Sequence, residues 1–191
     1  MLLRTMWKFE EVLIELDLTK VIIRPESEKD YQVIKEINDA AFNQNNESLL
    51  IEQLRESPDF IPDLSLVAEM EGKIAGHILF YPVKINDGNA EYITLSLAPM
   101  AVHPDYQRKG VGGKLITEGK RRAKAMRYDS IIVIGHPEYY PKFGFEKASC
   151  FNIRPPFDIP EVAFLALELN EGALKNIRGF VEYPQPYYNA L

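Results

Sequence analysis

Leu97-Ala98-Pro99-Met100-Ala101-Val102-His103-Pro104-Asp105-Tyr106-Gln107-Arg108-Lys109-Gly110-Val111-Gly112-Gly113-Lys114 reads as a strand, a polar turn, a glycine-rich loop and the start of a helix. A helix start leaves its first backbone N–H groups unpaired, and the macrodipole adds partial positive charge there. Gly110, Gly112 and Gly113 let the backbone approach a ligand and take conformations closed to other residues. Arg108, Lys109 and Lys114 add full charges around the same point. Together these features predict a seat for a phosphate or diphosphate.

Three phosphate motifs compete for this stretch. A Walker loop needs Gly, four residues, then Gly-Lys-Ser/Thr; here Leu115 follows Gly113-Lys114 and Arg108 stands at the first glycine position. The dinucleotide pattern GxGxxG fits Gly110 and Gly112, but its third glycine falls on Leu115. That pattern also wants an acidic residue near the end of the next parallel strand, whereas Asp129 precedes that strand. The acyl-CoA pattern Gln/Arg-x-x-Gly-x-Gly/Ala matches throughout, as Gln107-Arg108-Lys109-Gly110-Val111-Gly112.

Working outward, the loop opens a helix over 111–126, with Val111, Leu115, Ile116, Ala123 and Met126 inward. Lys120, Arg121, Arg122, Lys124 and Arg127 form its basic C-terminal half, read as a solvated face. The apolar run 130–134 predicts a buried strand, 138–143 a short helical turn, and 145–153 and 162–169 further strands. Upstream, Asn86-Asp87-Gly88-Asn89 marks a hairpin turn between strands 73–85 and 90–102. Strands over 21–24 and 64–70 enclose helices over 27–42 and 47–56, the first with Tyr31, Ile34, Ile37, Ala41 and Phe42 inward. The tail, with Pro184 and Pro186 among tyrosines, reads as irregular, and residues 1–20 as an extension ahead of one domain, 21–191. The expected architecture is α/β, one mixed sheet with helices on its faces.

With 191 residues, 46% of them apolar and 26% charged, the chain can bury a substantial core. A net charge of −6 argues against a general nucleic-acid binder. The lone Cys150, read as a small buried residue, leaves no internal disulfide and no cysteine-based metal site. Apolar runs are too short for a membrane span, and Lys8, Glu10 and Glu11 interrupt any leader-like core. A cytoplasmic protein without metal or membrane partner is expected.

From about Val21 to Leu169 the chain resembles the GNAT superfamily of N-acetyltransferases, on two separate stretches in the family's order. Leu97 to Gln107 is similar to that family's fourth strand and loop, and Gly135-His136-Pro137-Glu138-Tyr139-Tyr140-Pro141-Lys142-Phe143-Gly144-Phe145 to its later strand end, short helix and Gly-Phe ending. The resemblance implies splayed fourth and fifth strands with the pantetheine arm of acetyl-CoA between them. Met100, Ala101 and Val102 would pair with that arm, and amides from Arg108 through Lys109, Gly110, Val111, Gly112 and Gly113 to Lys114 would hold the diphosphate.

The resemblance also implies a cofactor-side place for Phe143, and for Tyr140 the role of general acid to the departing thiolate, with Tyr139 pointing elsewhere. It supplies no single base. Glu47, at the start of the second helix, is a candidate, and Glu91, Thr94, Ser96, His103, His136 and Glu138 are alternatives. The acceptor would be a small-molecule, protein or peptide amine, and homodimers occur in the family. A catalytically weak acyl-CoA-binding module is the competing reading.

Overall fold

The computed structural model describes residues 18–190. A 3-10 turn over Leu18–Lys20 leads into β1 (Ile22–Pro25), α1 (Tyr31–Phe42) and α2 (Asn46–Arg55). Then come β2 (Ser65–Met70), β3 (Lys73–Asn86), β4 (Glu91–Val102), α3 (Val111–Ala125) and β5 (Ser130–Ile134). The chain finishes with β6 (Glu146–Lys147), β7 (Ile153–Arg154), β8 (Phe164–Glu168), β9 (Gly179–Glu182) and α4 (Gln185–Asn189).

Among the described residues the strands form one sheet in the order β1-β2-β3-β4-β5-β8-β6, with β9 on the far end of β3 and β7 beside β9. β4 and β5 are parallel, as a strand–helix–strand crossover through α3 requires. The expected α/β mixed sheet is therefore present. Its continuously apolar middle strands are covered on both faces. On one face Phe80, Ile78, Leu95, Ile131 and Val133 meet Leu115, Ile116 and Ala123 of α3. On the other, Tyr81, Val83, Ile85 and Ile132 meet Ile34, Leu50, Ile51 and Leu54 of the two early helices.

α1 begins where Ser27 and Asp30 bond reciprocally, which satisfies otherwise orphaned amides. Its buried stripe is narrower than its apolar pattern. Ile34 and Ile37 are inside, while Tyr31 and Phe42 stay exposed. The Tyr31 ring instead lies under the Arg55 guanidinium, 3.8 Å from its centroid. Arg55 also forks onto Glu26 through two 2.8 Å hydrogen bonds, and fully buried His77 stands 3.3 Å from the same carboxylate. Burial alone would raise the Glu26 carboxyl; the Arg55 fork and His77 override it and bring it down to about 2.

Several sequence expectations change. The strand expected over 145–153 is broken into two short strands around a 3-10 turn, Ala148–Phe151, and Asn152 takes a left-handed conformation there. Cys150 lies exposed on that turn rather than buried. Met126 is exposed as well. The tail is ordered: β9 pairs with Lys84–Asn86, and Pro186 sits in the first turn of α4, where a missing N–H costs nothing. Leu18, ahead of the expected domain start, packs against the core, while residues 1–17 lie outside the described part. Among the described residues no helix is long and apolar enough to cross a membrane.

Candidate active site

The sheet opens at its centre. β4 and β5 pair from Leu95 opposite Ile131 only to Leu97 opposite Val133, and both strands run on beyond that point. β4 continues against β3 as far as Val102 opposite Gly76, and β5 continues against β8 to Ile134 opposite Phe164. The result is a slot walled by Ala98–Val102 on one side and the end of β5 on the other. Pro99 lies at the irregularity where the β3–β4 register shifts.

The glycine loop stands at the end of the β4 wall. His103 caps a 3-10 turn, Pro104–Tyr106, its Nδ1 accepting from the Asp105 amide at 3.3 Å. Gln107 donates its side-chain amide to the Val102 carbonyl at 3.0 Å, tying the loop back to the strand. Arg108 and Gly110 both have positive φ, 58° and 86°, and Gly110 is the N-cap of α3. α3 starts there, its first amides without intrahelical partners and Val111 buried. Arg108 and Lys109 are exposed and Lys114 half-buried, and none has an acidic partner among the described residues. A helix start with three uncommitted cations fits a diphosphate group on electrostatic grounds. Leu18 lies over Gly110, its Cδ1 2.8 Å from where a Cβ would be.

The second family-like stretch closes over this loop. Tyr140–Phe143 forms a 3-10 turn ended by left-handed Gly144, and Lys120 of α3 donates to the Phe143 carbonyl at 2.5 Å. Lys124 likewise holds the Leu169 carbonyl at 2.8 Å. Two lysines of the supposedly solvated face thus fasten loops. The Tyr140 ring is buried on Gly135, directly after β5, with a carbon 2.3 Å from the position of an added Cβ. Burial pushes its phenol well above the usual range, so it stays protonated at neutral pH.

Tyr139 takes a different direction. Its hydroxyl reaches the first turn of α3, 2.6 Å from an added Gly112 Cβ, beside the Met100 methyl. The Phe143 ring edge rests on Gly113 in the same manner, at 3.3 Å. Gly112 and Gly113 are helical, so close approach of the Tyr139 hydroxyl and the Phe143 ring edge, rather than unusual φ, is what favours glycine there. The helical turn expected over 138–143 is a 3-10 turn over Tyr140–Phe143 with Tyr139 at its N-cap, so α-helical spacing does not give the direction of this ring.

The candidate bases are dispersed. Glu47, in the first turn of α2, accepts from the Gln44 amide at 3.0 and 3.1 Å. Glu91 is paired with Lys84 at the exposed start of β4, and Thr94 is tied to Ser130. Ser96 is buried just before the slot opens, with two buried phenols, Tyr183 and Tyr187, on the same side of the sheet. His136 and Glu138 are exposed beyond β5.

Known proteins share this architecture. The family model described as acetyltransferase (GNAT) domain matches residues 22–148. The chain is 40% identical over 129 residues to the uncharacterised N-acetyltransferase YjhQ of Escherichia coli K12, covering 67% of this chain and 71% of that protein. It is 30% identical over 168 residues to the uncharacterised N-acetyltransferase YhbS of the same strain, covering 87% and 98%. The crystal structure of Escherichia coli YhbS in complex with CoA superposes with a TM-score of 0.82 at 29% identity, over 88% of this chain and 92% of that one. A GNAT acetyltransferase from Brucella melitensis in complex with acetyl-CoA gives 0.71 at 30% identity, over 87% and 97%. Parallel strands parting above a glycine-capped helix, and a family match spanning both, lead to one conclusion: the chain belongs to the GNAT family of acetyltransferases.

Proposed function

We propose that the protein transfers the acetyl group of acetyl-CoA directly to a primary amine. The observation that carries this reading is the central slot, whose β4 wall ends on the α3 start, where Arg108, Lys109 and Lys114 have no acidic partner among the described residues. The solved relatives in complex with CoA and acetyl-CoA support it. Acetyl-CoA supplies an activated thioester carbonyl for the amine to attack. The amides from Arg108 to Lys114 hold the diphosphate, and the backbone of Met100, Ala101 and Val102 aligns the arm as a neighbouring strand would. A β4 amide near Met100 stabilises the negative charge that develops on the carbonyl oxygen.

Tyr140, at the end of β5 and protonated at neutral pH, shares its proton with the departing sulfur as the C–S bond breaks, and solvent restores the phenol once CoA carries that proton away. On the side of the early helices the Glu47 carboxylate receives the amine's proton in this scheme, released from Gln44 as the acceptor enters. Phe143, resting on Gly113, fixes the turn that carries Tyr140.

The test is calorimetry with CoA, then acetyl-CoA with a panel of amines while free thiol is followed. Micromolar CoA binding, amine-dependent thiol release, and a tenfold or greater loss of kcat in Tyr140→Phe with CoA affinity kept are expected. Binding without turnover of any amine would instead identify a CoA-binding module. Stabilisation by ATP or NAD but not by CoA would overturn the reading.

A further inference from the structure

The geometry points to Tyr139 as a second functional tyrosine: its phenol is a hydrogen-bond donor to acetyl-CoA, placed where the cofactor arm leaves the α3 amides for the β4 slot. This rests on the acetyl-CoA reading above. The hydroxyl lies between the two halves of the site, over Gly112 in the first turn of α3 and next to the Met100 methyl of β4, which is 3.7 Å from the same added Cβ. In this reading an arm running from those amides to the slot lies beside this oxygen.

The ring is held in place. Tyr140 meets it edge-on at 5.3 Å, Phe143 at 5.2 Å, and the Lys142 ammonium stands 5.9 Å from its centroid. Lys120 fixes the end of the same turn. The hydroxyl itself has no hydrogen-bond partner among the described residues, and partial burial raises its pKa, so at neutral pH it offers a proton. The ring also lines a groove of about 380 Å³ with His136, Pro137, Glu138 and Lys142. Tyr139 thus touches both this groove and the first turn of α3. Tyr140, seated on Gly135, serves the far end of the arm; the adjacent tyrosines divide the path between them.

Removing a single oxygen tests both the seat and the contact. A Gly112→Ala methyl would meet the Tyr139 oxygen at 2.6 Å but the ring carbon Cζ at 3.7 Å, an ordinary contact. In the unmodified background Gly112→Ala should therefore lower the Tm. In Tyr139→Phe the same change should be neutral or stabilising, since alanine is the better helix former. Calorimetric titration of CoA and of acetyl-CoA into Tyr139→Phe should show Kd raised about 3–10-fold for both, the loss of one hydrogen bond.

Equal Tm effects of Gly112→Ala in the two backgrounds overturn the seat, and the inference with it. Unchanged Kd values in Tyr139→Phe overturn the contact even if the Tm coupling appears. If the unmodified protein binds neither CoA nor acetyl-CoA, the underlying reading fails, a result distinct from both.

Discussion

Replacing Gly119 by alanine sets helix propensity directly against packing. Gly119 lies mid-way along α3, and an added Cβ would be 2.1 Å from Cε2 and 2.4 Å from Cζ of Phe80, which is fully buried on β3. Carbon atoms rest at about 3.5–4.0 Å, so the overlap is roughly 1.5 Å. Alanine gains about 1 kcal/mol in helix propensity over glycine. Overpacking a filled core costs about 1–3 kcal/mol, and an overlap this deep lies at the upper end. The net expectation is a loss of about 2 kcal/mol, or a Tm lower by roughly 4–8 °C for a chain of this size. Because α3 is one continuous helix, lifting it from Phe80 also displaces its first amides, so CoA affinity should fall in the same variant. Circular dichroism melts and calorimetry read the two effects, and Phe80→Leu in the Gly119→Ala background should recover part of both. A Gly119→Ala protein more stable than the parent would refute the reasoning, since propensity would then have outweighed a contact the helix does not make.

Acid sensitivity should be traceable to Glu26. Its folded pKa of about 2 lies below the ordinary 4.5, so its contribution is complete above about pH 4.5 and disappears as the pH falls toward 2. The shift corresponds to about 3 kcal/mol. Urea unfolding from pH 7 to 3 should show Glu26→Gln weakened at neutral pH and flatter in acid; a slope parallel to the parent's would remove Glu26 from the account. Buried His77 has a lowered pKa, so the unfolded chain takes up its proton first and stability also erodes as the pH drops below about 6.5. Lys120→Met should keep the α3 packing but free the Phe143 carbonyl, raising the CoA Kd while the Tm falls by only a few degrees; no change in Kd would show that the turn holds without its lysine.

The parts of the fold that were readable in the sequence are those governed by local rules. The hairpin at Asp87-Gly88, the start of the first helix region at Ser27, and the strand–loop–helix around Gly110 each follow from turn chemistry or periodicity. What was not readable depends on contacts between distant segments. Tyr31 and Phe42 fit the apolar spacing of α1 but find no core opposite them. Pro184 and Pro186 suggested an irregular tail, yet they frame α4, whose Tyr187 packs on Tyr81 of β3. Gln107 stands at a motif position, and its side chain ties the loop to the Val102 carbonyl, a contact that the motif does not announce. Gly112 and Gly113 predict close approach of a ligand; within the chain the groups near them are the Tyr139 hydroxyl and the Phe143 ring, which only the folded structure brings there.

The parting of β4 from β5 has a mechanical consequence. Each wall of the opening is braced from outside, β4 by β3 and β5 by β8, so its width is fixed before anything enters. The sheet thus carries a strand edge within its breadth, already stiff and needing little ordering to accept a guest. Substitutions in Phe164–Glu168, one strand removed from the opening, should therefore change the gauge of the gap by moving β5.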